Sequence, residues 1–530
     1  MKTKKQPLKT WAKVAIVVII AGVAGLITYF AWPSIRTNES NPNGSNPSGS
    51  NPGKSRRANS ELVGGIDNFL GWAPGIAMNG GLEVNEESRA YREFGLKLQI
   101  NVLGEPDQQI AALKAGHVDF IFTTTDIAPI NMDEGSDLVM IQAQEFLELV
   151  DSRGGDVLVV DQSIQSVEQL RGKKIACALG WPSNTMLDII LKAGGLTEHD
   201  VDIRNFSSPT DCKNAYCSGK VDACVVWSPD NYECLDTRPS RELITTADMP
   251  LTIVDVLVAK KSVLEKKRPA FEKLAKMWLT ANAEVQNQGK YEWAVKAYKE
   301  AFHDEGKTSD LIDGLMSFRL CTYGDNVNFF GLNPHYTGIT GRDIYNKMAL
   351  VYENGYGNHL TNVTPWTTDD PNRPGASNSS IIAAISGEMT GELHAAEPQF
   401  SFAPISQESS QAMTPVIKKS MTVNFDVNSS KLSPSEKRAI RSFIGTTANE
   451  FSRMRIRIEG NTDITGPRDY NIRLSKDRAQ AVADYLVSEY NFDPNRFVIV
   501  GNGPDKPIAS NDTEAGKAQN RRTDFEFLAE

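Results

Sequence analysis

Within its 530 residues the sequence holds no C-x-x-C pair, no histidines at metal-ligand spacing, no G-x-S-x-G elbow and no phosphate-binding G-x-x-x-x-G-K-S/T loop. Those absences remove zinc ribbons, thioredoxin-type redox centres, serine-hydrolase chemistry and P-loop nucleotide hydrolysis from consideration. The six histidines (117, 199, 303, 335, 359, 394) are scattered, so neither a metal nor a cofactor is expected. There is no basic excess either: a net charge of −10 argues against a nucleic-acid surface, where cationic side chains supply most of the affinity. The six cysteines (177, 212, 217, 224, 234, 321) all fall in the middle of the chain. They read either as small buried hydrophobes or, outside the cytoplasm, as disulfide partners whose connectivity the spacing does not give.

What is present begins with VAIVVIIAGVAGLITYF from Val14 to Phe30, uncharged and followed by AWP. With its flanks this makes roughly 19 apolar residues, near the length of a spanning helix. Lys2, Lys4, Lys5, Lys9 and Lys13 precede it, so the positive-inside rule places 1–13 in the cytoplasm, 14–32 in the inner membrane and the bulk of the chain outside. The run is long for a signal peptide and lacks an A-x-A-like site, which favours an uncleaved anchor. No cysteine near the N-terminus offers a lipid attachment point. Ala21 and Gly25 have the small-xxx-small spacing that can pair helices. Residues 33–60, with TNESNPNGSNPSGSNPGKSRR, have almost nothing to bury and read as a tether spanning roughly 30 Å. A second polar stretch, 367–414, reads as a linker between a domain of 61–366 and one of 415–530.

In the last domain MTVNFDVNSSKLSP alternates apolar residues at Val423, Phe425 and Val427, as a half-buried strand does. MRIRIEG, FVIVGNG and NRRTDFEF supply further strands, and Ala479, Val482 and Leu486 recur at helical spacing, so a small α/β sandwich is expected. Four phrases stand in order here: IRIEGNTD ending at Asp463, N-x-x-LS-x-x-RA from Asn471 to Ala479, GNGPDKPIASNDT at 501–513 and NRR at 520–522. This set resembles the OmpA-like peptidoglycan-binding domain over about 110 residues, with Asn461 standing where the family usually has histidine. The resemblance implies that the domain clamps the free end of diaminopimelate in uncrosslinked stem peptides. Asp463 would accept hydrogen bonds from the ammonium and Arg478 would hold the carboxylate through its planar fork. Thr462, Asn471 and Leu474 would line or brace that pocket, with Arg521 and Arg522 at the family's terminal NRR. Without the motif around them, Asp463 and Arg478 would read as a surface ion pair of little energetic value.

The middle domain repeats strand, turn and helix: LKLQINVLG, HVDFIFTTT, GDVLVV, KKIACALG, KVDACVVW and LTIVDVLVA are short apolar runs between helix-like stretches. That is an α/β arrangement whose ligands sit at the carboxyl ends of strands, long enough for two lobes and a cleft. Ser183, Asn184 and Thr185 would cap a helix able to receive an anionic group. Trp72, Trp181 and Trp227 would form apolar walls, and Thr123, Thr124 and Asp126 sit at a strand end. Each of these taken singly reads better as a plain cap or core aromatic. GWAPGIAMNGGLEV at 71–84, IAALKAGHVDFIFTTTD at 110–126, SVEQLRGKKIACALGWPSNTMLDIILKAGGL at 166–196 and AYCSGKVDACVVWSPD at 215–230 resemble the periplasmic substrate-binding proteins of sulfonate, nitrate and pyrimidine-precursor ABC transporters. The resemblance implies a bilobal, non-enzymatic domain that closes on a small solute, with an ABC transporter permease as candidate partner. Some relatives of the fold act in cofactor synthesis, but no catalytic constellation is visible here.

Two functional expectations follow. One is a solute receptor tethered between inner membrane and wall. The other is a wall-linking scaffold or sensor whose binding-like lobes meet a partner protein. A stator-like channel subunit would also join one span to this wall-binding domain, but it needs a membrane carboxylate and 14–30 has none.

Overall fold

The computed structural model describes residues 59–529, apart from 105, 129–142, 152–153, 337, 355–363, 367–374, 399 and 427–428. The basic tail, the apolar run 14–32 and nearly all of the tether lie outside the described residues. Among the described residues no helix is long and apolar enough to cross a membrane.

The first lobe begins with β1 (Leu62–Ile66), β2 (Leu98–Val102), β3 (Phe120–Thr124) and β4 (Ala143–Asp151). The chain then leaves to build a second sheet from β5 (Asp156–Asp161), β6 (Lys174–Cys177), β7 (Asp202–Asn205), β8 (Ala223–Trp227) and β9 (Ser240–Thr245). It returns through β10 (Val254–Lys260) and β11 (Arg319–Leu320). The strand orders are β11-β4-β10-β3-β1-β2 and β7-β6-β8-β5-β9. β1 pairs in parallel with both β2 and β3, whereas β10 runs antiparallel between β3 and β4. Two connections, β4 to β5 and β9 to β10, therefore join the lobes, and the carboxyl ends of β1 and β3 face the cleft between them.

Apolar runs such as LVGGI and DVLVV are buried along both faces, which is why these strands lack the alternation of a half-exposed sheet. Three helices matter below: α1 (Pro106–Ala115), α2 (Pro182–Ala193) and α3 (Lys261–Gln288). α2 starts with proline at its first position and buries Met186, Leu187, Ile189 and Ile190 against the second sheet. α3 carries Pro269, and the backbone at Lys267 leaves helical geometry, the kink expected where the ring removes a donor. All six cysteines are free thiols, and five of them are buried.

The stretch 367–414 is more than a linker. Within it α4 (Ser380–Ala384) sends Ile381 and Ile382, followed by Ile385 and Met389, into the core of the first lobe. Arg268 fixes that contact by donating to the Ser380 hydroxyl and carbonyl, both at 3.0 Å. Four apolar side chains hidden among serines, glycines and asparagines are enough to dock a segment whose average composition is polar.

The C-terminal domain is a four-stranded sheet of order β12-β15-β13-β14, with α5 (Arg468–Tyr490) laid across β13 and β14. Its strands are β12 (Pro415–Met421), β13 (Arg455–Asn461), β14 (Phe497–Gly503) and β15 (Thr523–Leu528). Three of them fall where alternation placed them. The first does not: pairing with β15 ends at Met421, and 422–426 leave the sheet. Phe425 lies under the Arg478 guanidinium, 4.9 Å from ring centre to Cζ, so the apolar alternation there serves a contact outside the sheet; Val427 lies outside the described residues. The domain also touches the second lobe, where the Lys418 amide donates to Glu168 Oε1 at 2.8 Å and Val416 and Ile417 join its apolar cluster.

Candidate functional site

Two places gather functional side chains. In the C-terminal domain they lie where β13 meets α5. A β-carbon at Gly460 would stand 2.1 Å from the Ser475 carbonyl, and one at Gly501 would stand 2.5 Å from that of Ile472. Only glycine lets strand and helix come that close, and the close approach puts the loop after β13, which carries Asp463, against the helix that carries Arg478.

Asp463 is 7% exposed. Its Oδ1 accepts from the Thr465 amide at 2.8 Å and its Oδ2 from Arg521 Nη1 at 2.5 Å. Burial alone would raise its pKa, but the Arg521 hydrogen bond and the Thr465 donors outweigh that and hold the carboxyl below its ordinary value. Arg478 is half-buried on α5; its Nε donates to the Ser429 carbonyl at 3.1 Å, and it forms no ion pair with a described residue. It senses the charges of both Asp463 and Arg521, while burial lowers its pKa from the usual arginine value. The two residues are coupled only through their charges and form no hydrogen bond or ion pair with one another; Asp463 has Arg521 as its own partner.

Thr462 is tied down by its amide to the Gly503 carbonyl at 2.8 Å, and Asn471 braces the loop by donating to the Thr465 carbonyl at 3.0 Å. Leu474 is half-buried on α5. Arg522 is turned away from Asp463 and spends its donors on Asp524 and the Lys506 carbonyl. Asn461, at the family's histidine position, is buried between Asp524 (2.9 Å) and Asn502 (3.1 Å).

The second place is the cleft between the lobes, a narrow cavity of about 50 Å³. Trp72, Thr123 and Thr124 line it from the first lobe, Trp181 and Trp227 from the second. The aromatic rings run across it in sequence. Phe122 stacks on Trp72 at 4.3 Å, Trp72 meets Phe69 at 5.2 Å, Phe69 meets Trp227 at 6.2 Å and Trp227 meets Trp181 at 5.5 Å.

Asp126, Ser183, Asn184 and Thr185 are not on the lining. Trp181, not a hydroxyl residue, is the N-cap of α2, and Ser183 to Thr185 sit inside its first turn. Asp126 is 0% exposed, and burial raises its pKa against the weaker opposing pull of Thr124 and Thr185. Neither Asp126 oxygen has a partner of normal hydrogen-bond geometry.

Sequence reasoning missed Asp67, Gln109, Asp156 and Asp255, which also line the cleft. Asp67 stands just past the carboxyl end of β1, where Oδ1 takes the Trp72 indole N–H at 2.8 Å and the Phe69 amide at 3.1 Å. Burial raises its pKa, and those two donors only partly offset the rise. A search for carboxylates at strand ends, beside the aromatics, would have found it.

Residues 84–288 match the NMT1/THI5 like family model, and residues 424–521 match the OmpA family model. The chain joins an NMT1/THI5-like domain to a C-terminal OmpA family domain. Outer membrane protein Omp38 of Acinetobacter baumannii is 36% identical over 149 residues, 27% of this chain and 42% of that protein. The peptidoglycan-associated lipoprotein of Pseudomonas putida is 36% identical over 104 residues, 20% of this chain and 61% of that protein. The fusion thus spans less than half the length of Omp38, and these likenesses concern its OmpA family part. Among solved structures, the periplasmic aliphatic sulphonate binding protein SsuA of Escherichia coli aligns with 61% of this chain and 98% of its own at 17% identity, with a TM-score of 0.44.

Proposed function

We propose that this protein is a solute-binding receptor of the ABC-importer type, anchored in the inner membrane and held to the wall through diaminopimelate stem peptides. The observation that carries the wall-binding half is a buried carboxylate just past β13 and an arginine fork on α5, coupled through their charges but not paired with one another. A free amino-acid end presents an ammonium and a carboxylate together, and it satisfies both groups at once. The solute half rests on the lined cleft between lobes joined by two connections, a geometry that can close on a small molecule. The apolar run 14–32 and the tether after it would let the receptor reach from membrane to wall.

The experiment is sedimentation of the detergent-solubilised full chain with two purified walls, one of diaminopimelate type and one of lysine type. The lysine side chain offers the ammonium without the neighbouring carboxylate. Retention on the first wall and its loss on the second are expected; equal retention on both would contradict the clamp.

One observation favours a second reading, a wall-linking scaffold or sensor. The wall-binding domain touches the second lobe through Glu168 and through the Asp248 carbonyl, which accepts from the Arg453 amide at 3.4 Å. Wall occupancy and cleft geometry would then be coupled.

A further inference from the structure

Among the described residues the charged side chains on the cleft lining have one sign. They are three aspartates, 67, 156 and 255, with no lysine or arginine. Asp67 is fixed in place by the Trp72 indole and the Phe69 amide, donors that orient a carboxylate without cancelling its charge. Two further acceptors are buried on the lining and unmatched. Gln109 is 3% exposed and commits its amide N–H to the Gly104 carbonyl at 3.2 Å, which leaves Oε1 with no partner. Thr124 is 7% exposed; its hydroxyl leans toward Asp126, and its Oγ1 accepts from no described donor. Buried acceptors left in this state are satisfied by whatever enters the cavity. Around them stand the rings of Trp72, Trp181, Trp227 and Phe69, whose faces attract positive charge.

An anionic solute would meet carboxylates and lone pairs, with no side-chain cation among the described lining residues to receive it. We infer that the cleft takes a small organic cation with N–H donors, a primary alkylammonium, held between the tryptophan faces with Asp67 as counter-charge and Gln109 Oε1 and Thr124 Oγ1 as acceptors. This rests on the reading of the cleft as a solute site and specifies its substrate class. The volume of about 50 Å³, room for roughly four waters, suits a short carbon chain.

The test uses three ligands with one carbon skeleton and different heads: n-propylammonium, n-propanol and propane-1-sulfonate. They are titrated calorimetrically into the detergent-solubilised full chain. The expected order has propylammonium at least tenfold tighter than propanol, with the sulfonate weakest. Asp67→Asn, which keeps an acceptor for the Trp72 indole, should weaken propylammonium at least tenfold and leave propanol within about twofold. Sulfonate binding more tightly than propylammonium would overturn the cation assignment while leaving the cleft a solute site. Binding of none of the three, up to millimolar concentration, would overturn both.

Discussion

Asp463→Ala or Arg478→Ala abolishes retention of the full chain on diaminopimelate-type peptidoglycan. Asp463 is almost fully buried, and its removal takes away the acceptor proposed for the ligand's ammonium, while the exposed Arg521, whose Nη1 now donates to it at 2.5 Å, is left to solvent. Loss of a hydrogen bond between charged groups costs on the order of 1.5–3 kcal/mol, which is roughly a ten- to 150-fold loss in affinity. For Arg478 the loss is of a planar fork held ready by Phe425 on one side and the Ser429 carbonyl on another. Arg478→Lys separates charge from geometry: it keeps the positive charge but offers no parallel pair of N–H donors, so partial retention, weaker by about tenfold, is expected. Arg522→Ala is a useful contrast because Arg522 faces Asp524 and not Asp463. It should reduce retention far less than either clamp variant. Undiminished retention of Asp463→Ala and Arg478→Ala, scored by sedimentation at matched folded fraction, would sink the assignment.

The largest stability effect is expected at Arg496, which is 1% exposed inside the OmpA family domain. Its Nε donates to the Met454 carbonyl at 2.8 Å, and its Nη2 donates to the carbonyls of Ala448 (2.7 Å) and Phe451 (2.6 Å). The guanidinium lies 4.5 Å from the centre of the Phe492 ring. Burial lowers its pKa to about 9, so it stays charged at neutral pH and acts as a cap on the chain end that leads into β13. Arg496→Met fills much of the volume but takes the donor from the Met454 and Ala448 carbonyls, at roughly 1–3 kcal/mol each before relaxation, and leaves the Phe451 carbonyl with only the Met454 amide at 3.0 Å. A net loss of about 3–5 kcal/mol and a fall of more than about 10 °C in the transition of this domain are expected by scanning calorimetry. A shift of under about 2 °C would show that water or rearrangement satisfies those carbonyls instead.

How much of this was legible in the sequence varied with how local the cause was. The grouping of Thr462, Asp463 and Asn471 where β13 meets α5 was readable because these residues sit in short ordered phrases and because the glycines that allow strand and helix to touch lie inside those phrases. Arg521 was expected only as part of the family's terminal NRR, and its role as the Asp463 partner depends on β15 lying beside β13, a pairing across more than fifty residues. In the cleft, the tryptophans and Thr123 and Thr124 were found from their place at strand ends. Asp67 carried a local signal that went unread, its place past a strand end and five residues before Trp72, whereas nothing local distinguishes Gln109 from an amide on a solvated surface. Ser183 to Thr185 show the reverse error. Their composition suggests a cap, yet proline at position 182 starts the helix earlier and takes them inside its first turn. The packed segment around α4 was hidden for a related reason: averaged polarity over 367–414 conceals a few residues at contact spacing.

The central claim is that one chain holds a small solute in its cleft and the wall with its last domain, and the cleft is the part with most at stake. The most direct measurement is native mass spectrometry of the full chain, extracted gently from the envelope. The account gives a discrete small mass that disappears on denaturation, and the cation inference makes that mass a positively charged amine. A clean ligand-free mass, persisting after incubation with short alkylamines, amino acids, sulfonates, nitrate and pyrimidine precursors, would contradict the account and leave the chain a wall-linking scaffold.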